Sequence, residues 1–303
     1  MDQITIILTC YKQEKFIEET ILSVINQTYC NRELLIWDDS PDDNCRNIIS
    51  KYVNQYPEKI KARHHNPNKW IVNNMQFLLE QRNKKFEYVA FLEWDDCWLP
   101  EYLETKLEIF EKHPNTKLIY NEVSTINSEW DVITKRYLKI FTKWFCSKWK
   151  ISYEKLMDET FYMSWSTLMV KSDMVEKYKI CPPFLRNNTI ISDKFFFDQI
   201  AHNEDIYWIS DPLILYRLHD DSTSWTIKGK IAFCLELIEY VKYLYNRNYL
   251  SKKLYKRLTN KYLLLICWRC FINCIEISMT LTVMNFLKEC INRIVRFNKK
   301  LFQ

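Results

Sequence analysis

A chain of 303 residues, 48% hydrophobic and 27% charged with a net charge of +5, can bury one large core or one domain plus an extension. Its single glycine, Gly229, excludes both the Gly-x-Gly-x-x-Gly turn and the P-loop, which need glycines to bring backbone close to phosphate. Any nucleotide must therefore be held by side chains and a metal. No run reaches the roughly 18 apolar residues of a membrane span. The start, Met1-Asp2-Gln3, lacks the basic region of a signal peptide, so a cytoplasmic protein is expected. The eleven cysteines are scattered and read as small buried hydrophobes of a reducing compartment. Cys267, Cys270 and Cys274 share one helical face, with no second ligand pair at zinc-site spacing.

In chain order, residues 4–9 (ITIILT) form a continuous β-branched run, as a strand buried on both faces requires. Phe16, Ile17, Ile21, Val24 and Ile25 follow at helical spacing. A second strand, 33–37 (ELLIW), ends in the turn-forming Asp38-Asp39-Ser40-Pro41. Ile48, Ile49, Tyr52 and Val53 predict a helix, 60–63 a short strand and 75–81 another helix. Residues 88–92 (YVAFL) are a third long strand, which breaks abruptly into Glu93-Trp94-Asp95-Asp96. Pro100 suits the first turn of the helix carried by Tyr102, Leu103, Leu107 and Phe110, and 117–120 (KLIY) returns as a strand. Strand and helix alternate, so the fold class is α/β with a mainly parallel, Rossmann-like sheet flanked by helices.

In such sheets ligands gather at the carboxyl ends of the strands. Three predicted strands end in Thr9–Tyr11, Asp38-Asp39 and Glu93–Asp96, which would share one edge. Crowded carboxylates are costly without a cation among them. Hard divalent ions typically pair one or two carboxylates with the phosphates of a substrate. A solvated acidic turn is the bland alternative.

In this order the pieces resemble the inverting nucleotide-sugar glycosyltransferases of family 2, which have the GT-A fold. The opening from ITIILT to the S-x-x-x-Q-T-Y helix end, ELLIWDDSPDD, FLEWDDCWLP and ISDKFFFDQ…DPLILYRLHDDSTS carry the resemblance over roughly residues 3–225. It implies that Thr9, Tyr11 and Asp39 hold the base and ribose, with Asp38 supporting their turn. Asp95 would contact the ribose and Asp96 a Mn²⁺ or Mg²⁺ ion on the diphosphate, with Glu93 behind them. Asp193 matches the general base, Arg217 the diphosphate contact and His219 a further metal contact. Lys69 is a guess for the third nucleotide contact. The paired Asp is followed here by Ser-Pro where Gly-Ser is usual, so no glycine serves that turn.

The implied reaction moves a sugar from a nucleotide sugar, a UDP-linked hexose or N-acetylhexosamine, to a hydroxyl of a glycan or lipid-linked acceptor. Bacterial polysaccharide or lipooligosaccharide assembly is the setting the resemblance suggests. A degenerate relative that binds a nucleotide sugar or a partner without turnover is the competing reading. Asp193 is equally well placed to cap a helix. Trp94 and Trp98 could wall an acceptor site or belong to the core. His64 and His65 have no acidic neighbour in sequence and read as surface.

Residues 1–227 form the expected catalytic domain and 228–303 a basic amphipathic helical region. The latter carries 15 Lys and Arg against 4 Asp and Glu, so the first 227 residues hold a net −6. A helical stripe of Leu263, Leu264, Cys267, Phe271, Cys274 and Ile275 could pack on the body. It could instead lie on an anionic membrane at the inner face of the cytoplasmic membrane, each basic residue contributing on the order of 1 kcal/mol. Nucleic acid is not expected, because aromatic residues are not interleaved on predicted exposed strands.

Overall fold

In the computed structural model, which describes residues 3–64, 70–137, 151–158, 164–185, 189–219 and 226–276, the chain divides into two compact units, residues 1–218 and 219–303. The β-branched runs become the buried middle of a sheet. Strand β1 (Ile4–Cys10) pairs in parallel with β2 (Arg32–Asp38) on one side and β4 (Tyr88–Glu93) on the other. Strand β3 (Ile60–His64) extends the parallel set beyond β2. Helices α1 (Ile17–Ile25), α2 (Asn44–Gln55) and α3 (Ile71–Gln81) connect these strands, as the alternation of the sequence predicts.

Past β4 the sheet becomes mixed. The full order is β3-β2-β1-β4-β8-β6-β9-β5, with β7 on β6. The two-residue β5 (Cys97–Trp98) precedes α4 (Tyr102–Lys112) and β6 (Thr116–Ile126). Then come β7 (Val132–Thr134), α5 (Tyr153–Asp158), β8 (Met169–Lys171), α6 (Ser172–Lys177), α7 (Ser192–Asn203) and β9 (Asp205–Arg217). β8 runs antiparallel to both β4 and β6, while β9 is parallel to β6 and antiparallel to β5. The parallel portion thus ends at β4, and an antiparallel insertion separates it from the β6–β9 pair. Strands β6 and β9 are far longer than four-residue apolar runs suggest, and Pro212 sits at a register shift between them, where a missing N–H does least harm.

The core of this unit is aliphatic and aromatic. Phe91, wholly buried, contacts Trp165 at 4.7 Å and Phe196 at 5.9 Å between ring centres. Lys106 is also wholly buried. It donates to Tyr102 Oη (2.9 Å) and Thr167 O (2.6 Å), and burial drives its amine well below the usual lysine range.

The second unit is built on α8 (Ile227–Asn246) and α9 (Lys252–Glu276), with Tyr245 stacked on Tyr255 at 4.4 Å. The buried face of α9 is Leu254, Tyr255, Leu258, Tyr262 and Ile266, whereas Leu264 of the expected stripe is 67% exposed. Of that stripe, Leu263 and Cys267 are half-buried, and the side chains of Phe271, Cys274 and Ile275 lie outside the described residues. Among the described residues no helix is long and apolar enough to cross a membrane.

Candidate active site

The parallel register brings three strand ends into one row. Thr9 lies beside Trp37 on one flank and Glu93 on the other, and Cys10 lies beside Asp38. Two acidic turns leave this edge.

The first turn follows β2. Asp38 and Asp39 are both buried. Asp38 accepts from Ser40 N (2.9 Å) and faces His64 Nδ1 at 3.1 Å. Asp39 accepts from Trp37 Nε1 (2.7 Å) and Asn74 Nδ2 (2.6 Å). Parallel pairing puts His64 opposite Asp38, so His64 is not the surface residue that its sequence neighbours suggested. Asn74 Oδ1 is buried with no protein partner. Lys12 takes a φ of 54° and donates its N–H to Ser40 Oγ, so a lysine occupies the left-handed position a glycine would normally fill.

The second turn follows β4. Ser164 Oγ donates to Glu93 Oε2 (2.6 Å) and Ser166 Oγ to Asp96 Oδ2 (2.6 Å). Both serines belong to a segment around a 3-10 turn at Trp165–Thr167 that the sequence reading passed over, since Ser-Trp-Ser-Thr carries no periodic signal. Thr20 Oγ1 of α1 lies 2.8 Å from Trp94 O and 3.0 Å from Asp96 O. Gln27, from the S-x-x-x-Q-T-Y pattern, donates to Leu99 O and accepts from Leu103 N, tying the chain after the turn to α4.

Burial, reinforced by the charge of Asp95, pushes the Glu93 carboxyl up to about 8; the Ser164 hydroxyl opposes this and the Asp193 charge adds to it. Asp96 is raised well above the carboxylate range, first by burial and then by the charges of Asp95 and Glu93. Its other oxygen accepts the Arg217 N–H (3.1 Å). Asp96 is 0% exposed, and its two oxygens accept from Ser166 Oγ and Arg217 N beneath the surface of the turn. Asp95, half-buried, is the aspartate of the pair that reaches the surface of the turn.

Arg217 also departs from expectation. Its side chain is fully enclosed, with Phe16 and Trp130 each 4.7 Å from the guanidinium. It donates to Asp95 O (3.0 Å), Asn127 O (3.4 Å) and Glu19 Oε2 (2.7 Å). A guanidinium so committed braces the acidic turn and is not available to a diphosphate in this conformation. Trp98 is likewise a core residue, stacked on Tyr102 at 4.1 Å and donating to Ser166 O, so it walls no acceptor site. Trp94 stays half-exposed, and Tyr11 is exposed at the end of β1.

Asp193 lies in the first turn of α7, one residue past its start. The cap position falls to Ile191, which makes no side-chain cap, so the capping reading of Asp193 is corrected. Half-buried, Asp193 accepts from Lys194 N (2.6 Å). Burial pushes its carboxyl up to about 7, against the opposing Lys194 N–H and Lys194 charge, and Asp198 adds to the rise. Trp165 Nε1 lies 3.3 Å from Ser192 Oγ, so the start of α7 stands beside the segment of Ser164 and Ser166 that holds the acidic turn. His219 opens the second unit and is buried there. Lys69 lies outside the described residues.

Glu93, Asp95 and Asp96 offer only oxygen, the ligand of hard divalent ions. Among the described residues their carboxylates do not converge on one point.

Residues 5–178 match the sequence profile described as glycosyl transferase family 2. The chain is 29% identical over 154 residues to the UDP-Glc:alpha-D-GlcNAc-diphosphoundecaprenol beta-1,3-glucosyltransferase WfgD of Escherichia coli. That match covers 51% of this chain and 54% of WfgD. The chain spans between 33% and 54% of the length of the curated relatives it matches first. The fold is that of Staphylococcus aureus TarS residues 1–349 in complex with UDP-GlcNAc, with a TM-score of 0.60, 15% identity, and 95% of this chain and 79% of that one covered. It is also shared with the mannosyltransferase PcManGT of Pyrobaculum calidifontis in complex with GDP-Man and Mn²⁺ (TM-score 0.57, 12% identity, 97% and 80% covered). These likenesses show the α/β GT-A fold.

Proposed function

Because the chain belongs to glycosyl transferase family 2, we propose that it transfers a sugar from a nucleoside diphosphate to an acceptor hydroxyl with inversion at the anomeric carbon. One observation supports this most directly: Asp193, a carboxyl that burial lifts to about 7, stands at the start of α7 near a turn in which burial and the Asp95 charge raise both Glu93 and Asp96. A base near neutral pH is what deprotonation of a hydroxyl asks for, and such assistance is worth roughly 10²–10⁴-fold. Attack from the face opposite the leaving diphosphate needs no enzyme nucleophile.

Each residue has a task in this reading. Asp39, fixed by Trp37 and Asn74, accepts from the base, and the orphan Asn74 Oδ1 lies beside it. Thr9 and the exposed Tyr11 line the ribose side. Asp95, rather than Asp96, holds a Mn²⁺ or Mg²⁺ ion, with Glu93 behind it. The ion would neutralise charge on the departing diphosphate. Asp96 and Arg217 hold the Asp95 backbone in place. Half-exposed Trp94 offers a flat face for the acceptor.

A UDP-linked hexose or N-acetylhexosamine is the proposed donor, supported by the donor in the name of WfgD and the ligand of TarS. A glycan or lipid-linked acceptor follows from the same relative. The second unit brings Lys252, Lys253, Lys256 and Arg257 together at the start of α9, chemistry that suits anionic lipid at the cytoplasmic face of a membrane. The test is donor hydrolysis by the full chain across a panel of UDP- and GDP-sugars, with and without Mn²⁺. Metal-dependent release of one nucleoside diphosphate, lost in Asp95→Asn, is expected. Binding of a nucleotide sugar with no turnover, even with candidate acceptors supplied, would favour the non-catalytic reading.

A further inference from the structure

Beneath the first acidic turn lies a cluster that the glycosyl-transfer reading does not use. Cys10 ends β1, Asp38 ends β2 and Cys45 stands in the first turn of α2. All three are buried, none more than 1% exposed. The two Sγ atoms and a carboxylate oxygen of Asp38 lie within 4.8 Å of one another, the one such convergence of three or more metal-ligating side chains among the described residues. These positions are 28 and 7 residues apart along the chain, so no sequence spacing announces the group. The β1–β2 register, which sets Cys10 beside Asp38, creates it together with the return of the chain into α2.

The chemistry of the cluster differs from that of the second turn. Two sulfurs and a carboxylate favour a borderline-soft ion over magnesium or manganese. Zinc with bonds of about 2.3 Å to sulfur places tetrahedral ligand atoms roughly 3.8 Å apart, within the spacing found here. The surroundings also fit bound thiolate. Gln13 N–H donates to Cys45 Sγ at 3.2 Å, and His64 Nδ1 sits 3.1 Å from Asp38 Oδ2, a contact that helps orient the carboxylate.

We propose that Cys10, Cys45 and Asp38 bind a structural zinc ion that clamps the end of β1, the end of β2 and the start of α2 together beneath the nucleotide-binding turn. Three protein ligands leave one tetrahedral position to a ligand from outside the cluster, which departs from the four-ligand set usual for a structural zinc. Binding releases the thiol protons, and the ion is taken up as the chain folds, since its ligands are enclosed afterwards. The inference stands on these side chains and not on the reaction proposed above.

The test is the metal content of the full chain, expressed in zinc-supplemented medium, purified with a reductant and without chelator, then dialysed. A stoichiometric zinc per chain is expected, retained in Asp95→Asn and lost in a Cys10→Ser/Cys45→Ser variant that keeps the wild-type circular dichroism. His64→Ala should weaken retention against a competing chelator by about 10–100-fold. As a check independent of variants, the wild-type chain refolded with Co²⁺ should show a thiolate-to-cobalt charge-transfer band, which the oxygen-only second turn cannot produce. Substoichiometric zinc in the wild type, equal zinc in the double serine variant, or absence of the cobalt band would each overturn the proposal. So would thiol titration showing that Cys10 and Cys45 form a disulfide under these reducing conditions.

Discussion

The two acidic turns at the carboxyl edge of the sheet look alike in sequence, Asp38-Asp39 and Asp95-Asp96, and differ in how they are satisfied. In the first, Ser40 N and His64 serve one aspartate while Trp37 and Asn74 serve the other. In the second, Glu93, Asp95 and Asp96 sit in one another's field, and serine hydroxyls and one backbone N–H only partly offset the cost. Paired carboxylates thus mark two different devices. The first, matched by the protein's own donors, is a shaped acceptor surface. The second is left short of positive charge, which a divalent ion would supply, with a diphosphate completing the ion's oxygen ligands.

Substitutions sharpen this contrast. The largest effect is expected opposite the second turn: Asp193→Asn should lower kcat by roughly 10²–10⁴-fold. In the wild type, kcat/KM should rise with pH through about 7 as Asp193 loses its proton, and that limb should vanish in the variant. A wild-type rate flat between pH 5 and 8 would show that another group takes the proton. Asp95→Asn should follow, with a loss of about 10²–10³-fold and abolished Mn²⁺ binding by electron paramagnetic resonance. Retained binding there, with loss in Asp96→Asn instead, would reverse the assignment of the two aspartates.

At the first turn the expected cost is smaller and of another kind. Asn74→Ala strips a donor from a buried carboxylate, so stability to urea should fall by about 1–3 kcal/mol, with donor KM raised and kcat little changed. Smallest, and opposite in sign, is Glu93→Gln in metal-free protein. A carboxyl raised from its ordinary value to about 8 withdraws stability as pH climbs from near 4.5 through 8, because the unfolded chain ionises first. The glutamine variant should therefore melt a few degrees higher than wild type at pH 8, and the two should coincide in acid. A lower melting temperature at pH 8 would mean that the Ser164 contact matters more than the crowding of charge.

Much of the parallel half was legible, because strands buried on both faces must be continuously apolar and their ends then declare themselves. Strands β1, β2 and β4 and the helices after them follow from that pattern. The mixed half was less so. Strand β9 contains polar residues and Pro212, and its pairing with β6 is interrupted by register shifts that no two-residue period reports. Within the site, spacing could bring Asp95 and Asp96 to the edge but could not say which faces inward, since one step along a turn reverses a side chain. That choice is made by Ser166 and Arg217, 70 and 121 residues away. The two readings left open for Trp98 could not be separated for the same reason: its two-residue strand exists only because β9 runs beside it.

The bond from Arg217 N to Asp96 also carries a consequence for biosynthesis. Residues 93–96 leave the ribosome more than a hundred residues before their brace does. At translation speeds of about 5–20 residues per second the acidic turn spends several seconds without β9 beside it. A nascent chain ending before residue 205 has the paired aspartates but neither the ladder with β5 nor the guanidinium that holds the Asp95 carbonyl. Synthesis therefore completes the bracing of this turn in one late event, when β9 emerges.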